Sequence, residues 1–369
     1  MVTTLPLNYI TFILPTLNEV ENIRSIIENL IKFSSEYEIE IIVVDDGSTD
    51  GTPLLIRDLS KNDRRIRLIN RHNRYGLSSA IKEGCLCATG EILAVMDSDG
   101  QHEVNSIFDA IELLISSEKD LVIGSRFLNN SSIKGLSKKR EKGSSIANYL
   151  ARTSLSKNYF HLSDLMSGFF VINRNKVMRN IEKIDVNGFK FLFELLSVSN
   201  GRLNCGEIPL NFLPRKYGVS KLDFAVVWDF GISLIHAFCK RMVPRKAISF
   251  AFVGFTGVMV QFLISYSLMW FLEIPFSKVL PFAVVCAATS NYLINNWLTF
   301  RRNRLRNKAL LIGLIKFLVV ASLPIIANVG LASSFYKFVS PNTLLSQSAG
   351  IIVVFIWNYA ASSRLVWKS

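Results

Sequence analysis

The sequence predicts two architectures in one chain: an α/β domain with a mostly parallel sheet and, after it, an all-α membrane domain of four helices. Strand-like and helix-like apolar patterns alternate over about the first 220 residues, the composition changes sharply near Pro244, and four long apolar runs follow. We therefore expect an α/β domain at residues 1–221, an interfacial helix and linker at 222–245, and a membrane domain at 246–369.

The strands and helices of the first domain follow from the spacing of its apolar residues. Short apolar or alternating runs predict strands at residues 9–14, 39–44, 65–70, 91–96 and 121–124. Apolar residues at helical spacing predict helices at 21–33 and 78–87. Strands that alternate with helices form mostly parallel sheets, and such sheets bind ligands at the carboxyl ends of their strands. The polar motifs of this region fall at those ends.

Long apolar runs dominate the second part of the chain. Each is close to the roughly 20 residues that cross a bilayer, and they predict transmembrane helices at residues 247–272, 279–300, 309–336 and 344–363. Lys and Arg are concentrated before the first run, between the second and third, and after the last. By the positive-inside rule, both termini and the α/β domain are cytosolic. The net charge of +13 suits membrane lipids or phosphorylated substrates, and we expect no nucleic-acid partner.

Residues 222–242 have an amphipathic pattern. Polar side chains lie on one helical face, at Asp229, Ser233, His236 and Lys240, and apolar side chains lie between them. This pattern is typical of a helix that lies in the membrane interface. An ordinary domain-closing helix has a similar pattern and stays open as an alternative.

Two acidic, turn-forming motifs end the first two predicted strands. Residues 15–19 are PTLNE, and residues 44–52 are VDDGSTDGT. Carboxylates there can accept hydrogen bonds from ribose hydroxyls and from the N–H groups of a base, although polar turns alone would explain either motif singly. Their joint occurrence at neighbouring strand ends indicates a nucleotide site.

A third motif, DSDGQH, follows the predicted strand at 91–96. Asp97 and Asp99 are two residues apart, and Gln101 adds an amide oxygen, so the three suit one hard divalent cation, Mg²⁺ or Mn²⁺. Such a cation bridges the two phosphates of a nucleoside diphosphate and neutralises charge on the leaving group. We expect His102 to support this site rather than to bind the cation.

The motifs PTLNE, VDDGSTDGT, GLSSAIKEG, DSDGQH, GSRF, DLMSGF and PRKYGVSKL occur in this order over residues 9–222. In that combination the chain resembles the dolichol-phosphate mannose synthases of the inverting family-2 glycosyltransferases. From residue 247 onward it resembles the GtrA-like four-helix membrane domain. The resemblance implies a GT-A fold, a divalent cation, a nucleotide-sugar donor and a polyprenyl-phosphate acceptor.

The resemblance also implies roles for individual residues. The implied catalytic residues are Asp97, Asp99, Arg126 and Arg215, and the implied metal ligands are Asp97, Asp99 and Gln101. The resemblance assigns the nucleotide-sugar to Pro15, Leu17, Glu19, Val44, Asp46, Asp97, Ser98, Asp99, Arg215 and Lys221. It assigns the acceptor phosphate to Arg126, Arg140 and Ser144.

The chain departs from the family pattern in two places. Leu17 stands where Tyr is common, which weakens any argument for stacking on the base. Gly100 and the pair Glu103-Val104 replace the usual Leu and Pro-Pro, so we expect a less rigid loop after the metal site.

These features predict inverting transfer of mannose from GDP-mannose to dolichyl or another polyprenyl phosphate. The attacking phosphate oxygen is already anionic at neutral pH, so the reaction needs cations to hold two anionic partners together rather than a general base. Two alternatives stay open: a donor such as UDP-glucose or another UDP-sugar, and a flippase or transporter of lipid-linked sugars. A processive polysaccharide synthase is disfavoured because the sequence has no Q-x-x-R-W motif after the acceptor region.

Overall fold

The computed structural model describes residues 9–72, 76–128, 131, 138–186, 190–214, 224–322 and 343–368. The chain divides into two compact units, Met1–Phe238 and Cys239–Ser369. The first holds the predicted α/β fold, and the described part of the second is helical. The domain limits predicted at 221 and 245 stay predictions.

The first unit is built on one sheet of seven strands. They are β1 Tyr9–Thr16, β2 Glu38–Asp45, β3 Ile66–Asn70, β4 Ile92–Val95, β5 Leu121–Ser125, β6 Phe170–Asn173 and β7 Cys205–Pro209. Their spatial order is β3-β2-β1-β4-β6-β5-β7. β6 runs antiparallel to β4 and β5, and every other neighbouring pair is parallel. The predicted mostly parallel sheet is therefore confirmed.

Helices connect these strands in chain order. They are α1 Val20–Ile31, α2 Thr52–Asn62, α3 Leu77–Cys87, α4 Ser106–Ser116, α5 Lys138–Ser154, α6 Arg174–Glu182, α7 Phe191–Ser199 and α8 Phe224–Phe238. The helices predicted at 21–33 and 78–87 correspond to α1 and α3. α1, α2 and α6 begin within a few residues of the ends of β1, β2 and β6, so the loops there are short.

Apolar side chains on the two faces of the sheet form two hydrophobic cores. Along β1, Ile10, Phe12 and Leu14 belong to one core and Ile13 to the other, as the alternation of a strand requires. β2 divides in the same way, with Ile41 in the first core. Because both faces are covered, the central strands have continuous apolar runs, and these runs are what made the strands predictable.

One buried carboxylate, Glu40, lies near the start of β2, at the edge of the sheet away from the strands' carboxyl ends. Its Oε2 accepts hydrogen bonds from Thr11 Oγ1 at 2.7 Å, from Thr89 Oγ1 at 2.8 Å and from the Thr89 main-chain N–H at 3.0 Å. Its Oε1 is paired with the Arg67 guanidinium. Burial alone would raise the pKa of Glu40, but these hydrogen bonds outweigh it and hold the pKa below its usual value.

The helix α8 buries both polar and apolar side chains and leaves several large apolar side chains exposed. Ser233 and His236 are buried, whereas Phe224, Val227 and Phe238 are 57%, 54% and 75% exposed. In a unit surrounded by water, such a face would leave costly apolar area exposed. The arrangement fits the predicted interfacial helix, whose contact with a membrane stays a prediction.

The second unit contains α9 Arg245–Leu272, α10 Phe276–Trp297, α11 at residues 308–322 and α12 Thr343–Leu365. Each overlaps one of the four predicted apolar runs, although residues 323–336 of the third run lie outside the described residues. Of the helices that the structure describes, α9 is long and apolar enough to cross a bilayer. That all four helices cross it, and that both termini are cytosolic, stay predictions.

Trp367, close to the end of the chain, completes the core of the second unit. Its ring stacks on Phe300, with centroids 4.2 Å apart, and on Tyr292 at 5.5 Å. Its indole N–H donates to Asn296 Oδ1 at 3.0 Å, and the same oxygen accepts from the Leu305 main-chain N–H at 2.8 Å. Trp367 and the loop after α10 are therefore held together through Asn296.

Candidate active site

The carboxyl ends of β1, β2, β4 and β5 lie along one edge of the sheet, and they bring the sequence motifs together. β1 pairs in register with β2 up to Thr16 and Asp45, and with β4 up to Val95. Ser98 Oγ donates a hydrogen bond to the Pro15 carbonyl at 2.9 Å, which joins the first and third motifs directly. The Ser98 hydroxyl, which the resemblance assigns to the nucleotide-sugar, thus also fixes the loop after β4.

The predicted nucleoside pocket surrounds Asp46, which is buried. Asp46 Oδ1 lies 2.8 Å from Arg71 Nη1, and Asp46 Oδ2 accepts the Gly76 main-chain N–H at 2.8 Å. Glu19 accepts the Asn22 side-chain amide at 2.8 Å, close to the start of α1. The structure therefore holds Asp46 and Glu19 in fixed positions beside the ends of β2 and β1.

The other residues assigned to the nucleoside differ in exposure. Pro15 is buried and Leu17 is half-buried at the end of β1. Val44 is fully buried, and its side chain packs in one of the two hydrophobic cores, so its side chain is not available to a nucleotide. If Val44 contacts the donor, it does so through its main chain.

The predicted metal ligands Asp97, Asp99 and Gln101 lie in the loop after β4. Asp99 Oδ1 accepts the Gln101 main-chain N–H at 3.1 Å. Gln101 Nε2 donates to the Leu213 carbonyl at 3.0 Å, so its amide nitrogen is engaged and its amide oxygen is the atom suited to a cation. No group of three or more His, Cys, Asp or Glu side chains that could hold a metal ion occurs in the described residues. A cation here therefore fits two carboxylates, one amide oxygen and phosphate oxygens of a donor.

His102 is packed beside the carboxylate of Asp97 without ordinary hydrogen-bonding contact. Its Nε2 lies 3.7 Å from Asp97 Oδ2, and its ring contacts Phe169 and Phe212, with centroids 5.7 and 5.5 Å away. In the described part of the chain, neither ring nitrogen has a hydrogen-bond partner. His102 thus supports the site by packing, and its two nitrogens remain available within it.

Positive charge surrounds Asp97. Burial alone would raise the pKa of this carboxyl, but the adjacent His102 and the charges of Lys190 and Arg126 outweigh burial and lower it. Asp97 is therefore ionised at neutral pH, as cation binding requires. Lys190, which directly precedes α7, acts on Asp97 through its charge, and the sequence did not indicate this because a lone Lys before an apolar helix is an ordinary surface pattern.

Gly168 makes the closest approach to Asp97. A Cβ atom added at Gly168 would lie 2.1 Å from Asp97 Oδ2 and 2.7 Å from its Cγ. The contact arises because β6 is antiparallel to β4, so the residues just before Phe170 meet those just after Val95. The glycine in DLMSGF therefore makes room for the carboxylate, a role that is visible only once the strand direction is known.

Arg126, directly after β5, is paired with Asp164, the first residue of the DLMSGF motif. Its Nε and Nη2 donate to Asp164 Oδ2 and Oδ1 at 2.6 and 2.9 Å, and its main-chain N–H donates to Oδ2 at 3.2 Å. Asp164 is fully buried. Burial opposes the charge of Arg126, but Asp164 and Asp97 raise the pKa of the guanidinium, which stays charged.

The predicted acceptor residues extend along α5. Ser144 is half-buried, and its carbonyl accepts the Asn148 side-chain amide at 3.2 Å. Asn148 also reaches Asp164 Oδ1 at 3.4 Å, which connects Ser144 to Arg126. Arg140 falls in the first turn of α5, and its side chain lies outside the described residues, as do Arg215 and Lys221 entirely.

A mixed α/β sheet with acidic and basic side chains at its strand ends, in a chain that continues into a helical unit, is the architecture of a glycosyltransferase with a GT-A-like fold. The family model of glycosyl transferase family 2 matches residues 11–180, and the chain belongs to that family. The model of the GtrA/DPMS transmembrane domain matches residues 249–367, so the protein is a membrane protein.

Several named proteins are similar to this chain. A dolichol-phosphate mannosyltransferase of Pyrococcus furiosus is 28% identical over 98% of this chain and 99% of its own length. A dolichol-phosphate mannosyltransferase of Mycosarcoma maydis is 30% identical over 70% and 86% of the two chains. A polyprenol monophosphomannose synthase of Mycolicibacterium smegmatis is 30% identical over 57% and 80%. Among solved structures, glucosyl-3-phosphoglycerate synthase of Mycobacterium tuberculosis is 20% identical, with a TM-score of 0.47 over 64% of this chain and 81% of that one.

Proposed function

We propose that this protein transfers a mannosyl residue from GDP-mannose to dolichyl or another polyprenyl phosphate. The observation that carries the proposal is the position of Arg126, a charged guanidinium between the carboxylate Asp97 and the helix α5 that holds Ser144. Two anionic partners must meet in this reaction, and a fixed cation between their sites reduces their repulsion. The names of the similar mannosyltransferases support the same sugar and lipid.

The donor binds along the carboxyl ends of β1, β2 and β4. The nucleoside lies against Pro15, Leu17, Glu19 and the main chain of Val44, near Asp46. The diphosphate lies at the loop of Asp97 to Gln101, with Arg215 and Lys221 as further cationic contacts. A divalent cation, Mg²⁺ or Mn²⁺, held by Asp97, Asp99 and Gln101 supplies charge neutralisation to the leaving diphosphate.

The acceptor is a lipid, and α5 has a surface suited to one. Ile146 and Tyr149 are 61% and 65% exposed on this helix, a short distance along the chain from Ser144 and Arg140. α8 adds further exposed apolar side chains in the same unit. A lipid phosphate can therefore approach Arg126, Arg140 and Ser144 while its polyprenyl chain stays in the membrane. In this arrangement the catalytic unit and both termini are cytosolic, and the second unit crosses the membrane four times.

The chemistry is a single displacement. A phosphate oxygen of the lipid attacks the anomeric carbon, the bond from that carbon to the donor diphosphate breaks, and the α-linked sugar becomes β-linked. The nucleophile is already an anion, so no side chain has to remove a proton. Arg126, Arg215 and Lys190 stabilise the charge that builds up between the two phosphate groups.

The experiment is a donor panel with the full-length protein in detergent. GDP-mannose, UDP-glucose and other GDP- and UDP-sugars are each incubated with a short polyprenyl phosphate and Mg²⁺ or Mn²⁺, and the lipid-linked product is quantified. We expect transfer from GDP-mannose and a β-linked product by NMR of the anomeric centre. Transfer from a UDP-sugar instead would overturn the donor, and an α-linked product would overturn the single displacement. Asp109→Ala, which removes an exposed carboxylate from α4, is the matched control for the site variants described below.

A further inference from the structure

We propose that Asp164 is the positioning residue that orients Arg126 toward the acceptor phosphate, and that Asn148 ties this ion pair to α5. The inference deepens the proposed function, on which it rests, because it assigns the residues that hold the acceptor's cation in place. It starts from a carboxylate in the DLMSGF motif that has no assigned role in donor binding, metal binding or acceptor binding.

The ion pair fixes the orientation of the guanidinium. Asp164 accepts from Nε and Nη2 of Arg126 at once, which is the two-point geometry that removes rotational freedom from an arginine. The rings of Phe127 and Phe212 lie over the guanidinium carbon, each with its centroid 5.6 Å away. The two hydrogen bonds to Asp164 and the two rings restrict the orientation of the guanidinium. Its Nη1 takes no part in the pair with Asp164.

Asp164 is itself fixed from β7. Both oxygens of Glu207 accept the Ser163 main-chain N–H, at 2.8 and 2.9 Å, and Glu207 Oε1 accepts the main-chain N–H of Asp164 at 3.1 Å. The Ser163 hydroxyl also donates to Glu207, at 2.9 Å. A fully buried carboxylate with a clamped main chain is a rigid support for a neighbouring side chain.

Without Asp164, the guanidinium has a competing partner. Asp97 already acts electrostatically on Arg126, and it is one of the two carboxylates proposed to bind the cation. An Arg126 released from Asp164 would be drawn toward Asp97 and would compete there with the divalent cation.

Asn148 extends this support into the acceptor helix. It is buried, its Oδ1 accepts the Leu165 main-chain N–H at 2.8 Å, and its Nδ2 contacts Asp164 Oδ1 at 3.4 Å and the Ser144 carbonyl at 3.2 Å. Asn148 lies one helical turn after Ser144, on the same face of α5. Asn148 therefore holds α5, which carries Ser144 of the proposed acceptor site, against the same carboxylate that orients Arg126.

The test is a double-mutant cycle on the full-length protein, with Asp164→Asn, Arg126→Ala and the combination. Asp164→Asn should lower kcat by about 10- to 100-fold and raise the KM for a short polyprenyl phosphate, since a misdirected preorganised cation loses much of its effect. In the Arg126→Ala background, Asp164→Asn should cause no further loss, because its effect is exerted through Arg126. Binding of the nucleotide should be unchanged. Asp120→Asn is the matched control, since Asp120 is paired with Lys176 before β5, away from the strand ends.

Equal, multiplicative losses from Asp164→Asn in both backgrounds would overturn the proposal, because they would show a general structural role. If Asp164→Asn does not fold, Asn148→Ala replaces it in the test, because this variant keeps the ion pair. Asn148→Ala should raise the KM for the acceptor several-fold. An unchanged KM would contradict the proposal. Equilibrium binding of the short polyprenyl phosphate is measured for every variant. If the wild type binds this lipid and transfers no mannose, the proposed function is wrong. The positioning role is still supported in that case if Asp164→Asn and Arg126→Ala each bind the lipid more weakly and the combined variant binds it no more weakly than Arg126→Ala.

Discussion

Glu40 and Asp97 are both carboxylates of the central sheet, at opposite ends of its strands. The oxygens of Glu40 accept hydrogen bonds from Thr11 and Thr89 and pair with Arg67. Asp97 has no such set of donors among the described residues; His102 lies 3.7 Å away, and Lys190 and Arg126 act on it through their charges. A carboxylate whose acceptors are filled by the protein stabilises the fold, whereas one held open beside fixed cations is prepared to bind a ligand.

Of the variants that distinguish the carboxyl ends of the strands from the region around Glu40, Asp99→Ala should have the largest effect on transfer. Removing one of two carboxylates from the cation site should lower mannosyl transfer by about 1,000-fold, because the charge of the leaving diphosphate is no longer neutralised. The melting temperature should stay near that of the wild type. EDTA should stop the wild type, and added Mg²⁺ or Mn²⁺ should restore it. Full activity of the wild type in metal-free buffer would contradict the site.

Gly168→Ala should lower the transfer rate by displacing Asp97, without changing any charge. The added methyl group would overlap the Asp97 carboxylate, whose Oδ2 lies 2.1 Å from the ideal Cβ position. Displacing a ligand by about an ångström typically costs on the order of 100-fold in rate. We also expect weaker Mn²⁺ binding, measured by calorimetry.

The matched control for this variant is Gly231→Ala, where nothing lies within 4 Å of the added atom. It should keep wild-type transfer and Mn²⁺ affinity. Equal behaviour of the two variants would show that Gly168 does not define the space around Asp97.

The sequence predicted the parts of this comparison that depend on local patterns. The apolar runs of β1, β2 and β4 marked their strands, and the polar residues that follow them marked Asp97 and Asp46 as site residues. The roles of Asp164 and Gly168 were not predictable in this way. They depend on β6 running antiparallel to β4 and β5, and the four-residue strand that follows the DLMSGF motif carries no local signal of its direction.

The amphipathic pattern of α8 shows the same limit. The sequence distinguished a polar face from an apolar face, and the structure shows that Ser233 and His236 are buried together with Ile232 and Ala237. Which face of a helix is turned inward depends on what packs against it, and here that information lies outside the helix itself.

Glu40→Gln should affect stability rather than catalysis. The pKa of Glu40 is lowered in the folded protein, so its ionised form adds stability at pH values above the unfolded pKa of about 4.5. At pH 7 the variant should melt about 5 °C lower than the wild type. The difference should shrink as the pH falls below about 4.5 and should vanish once the folded-state carboxyl is protonated. Thermal melting of both proteins from pH 7 to pH 3.5 measures this, and a constant difference would contradict the assignment.

The smallest effect should come from removing the partner of an exposed carboxylate. Asp58 pairs with Lys61 at 2.9 Å on the surface of α2, where both side chains are more than two-thirds exposed. Solvent screens such a pair, so Lys61→Ala should change neither melting temperature nor transfer rate beyond experimental error. A clear loss of stability would show that hydrogen-bond saturation and burial are not what distinguish Glu40.

The most direct test compares initial rates of mannosyl transfer from GDP-mannose to a short polyprenyl phosphate for the wild type, Asp97→Asn and Glu40→Gln. The rates are measured at pH 7 and well below each melting temperature. Each variant replaces one carboxylate by its neutral isostere, Glu40 within β2 and Asp97 in the loop after β4. We expect Asp97→Asn to lose about 100-fold or more in rate and Glu40→Gln to stay within about twofold of the wild type. Near-wild-type transfer by Asp97→Asn, or equal losses in the two variants, would contradict the division between a binding edge and a structural edge of the sheet.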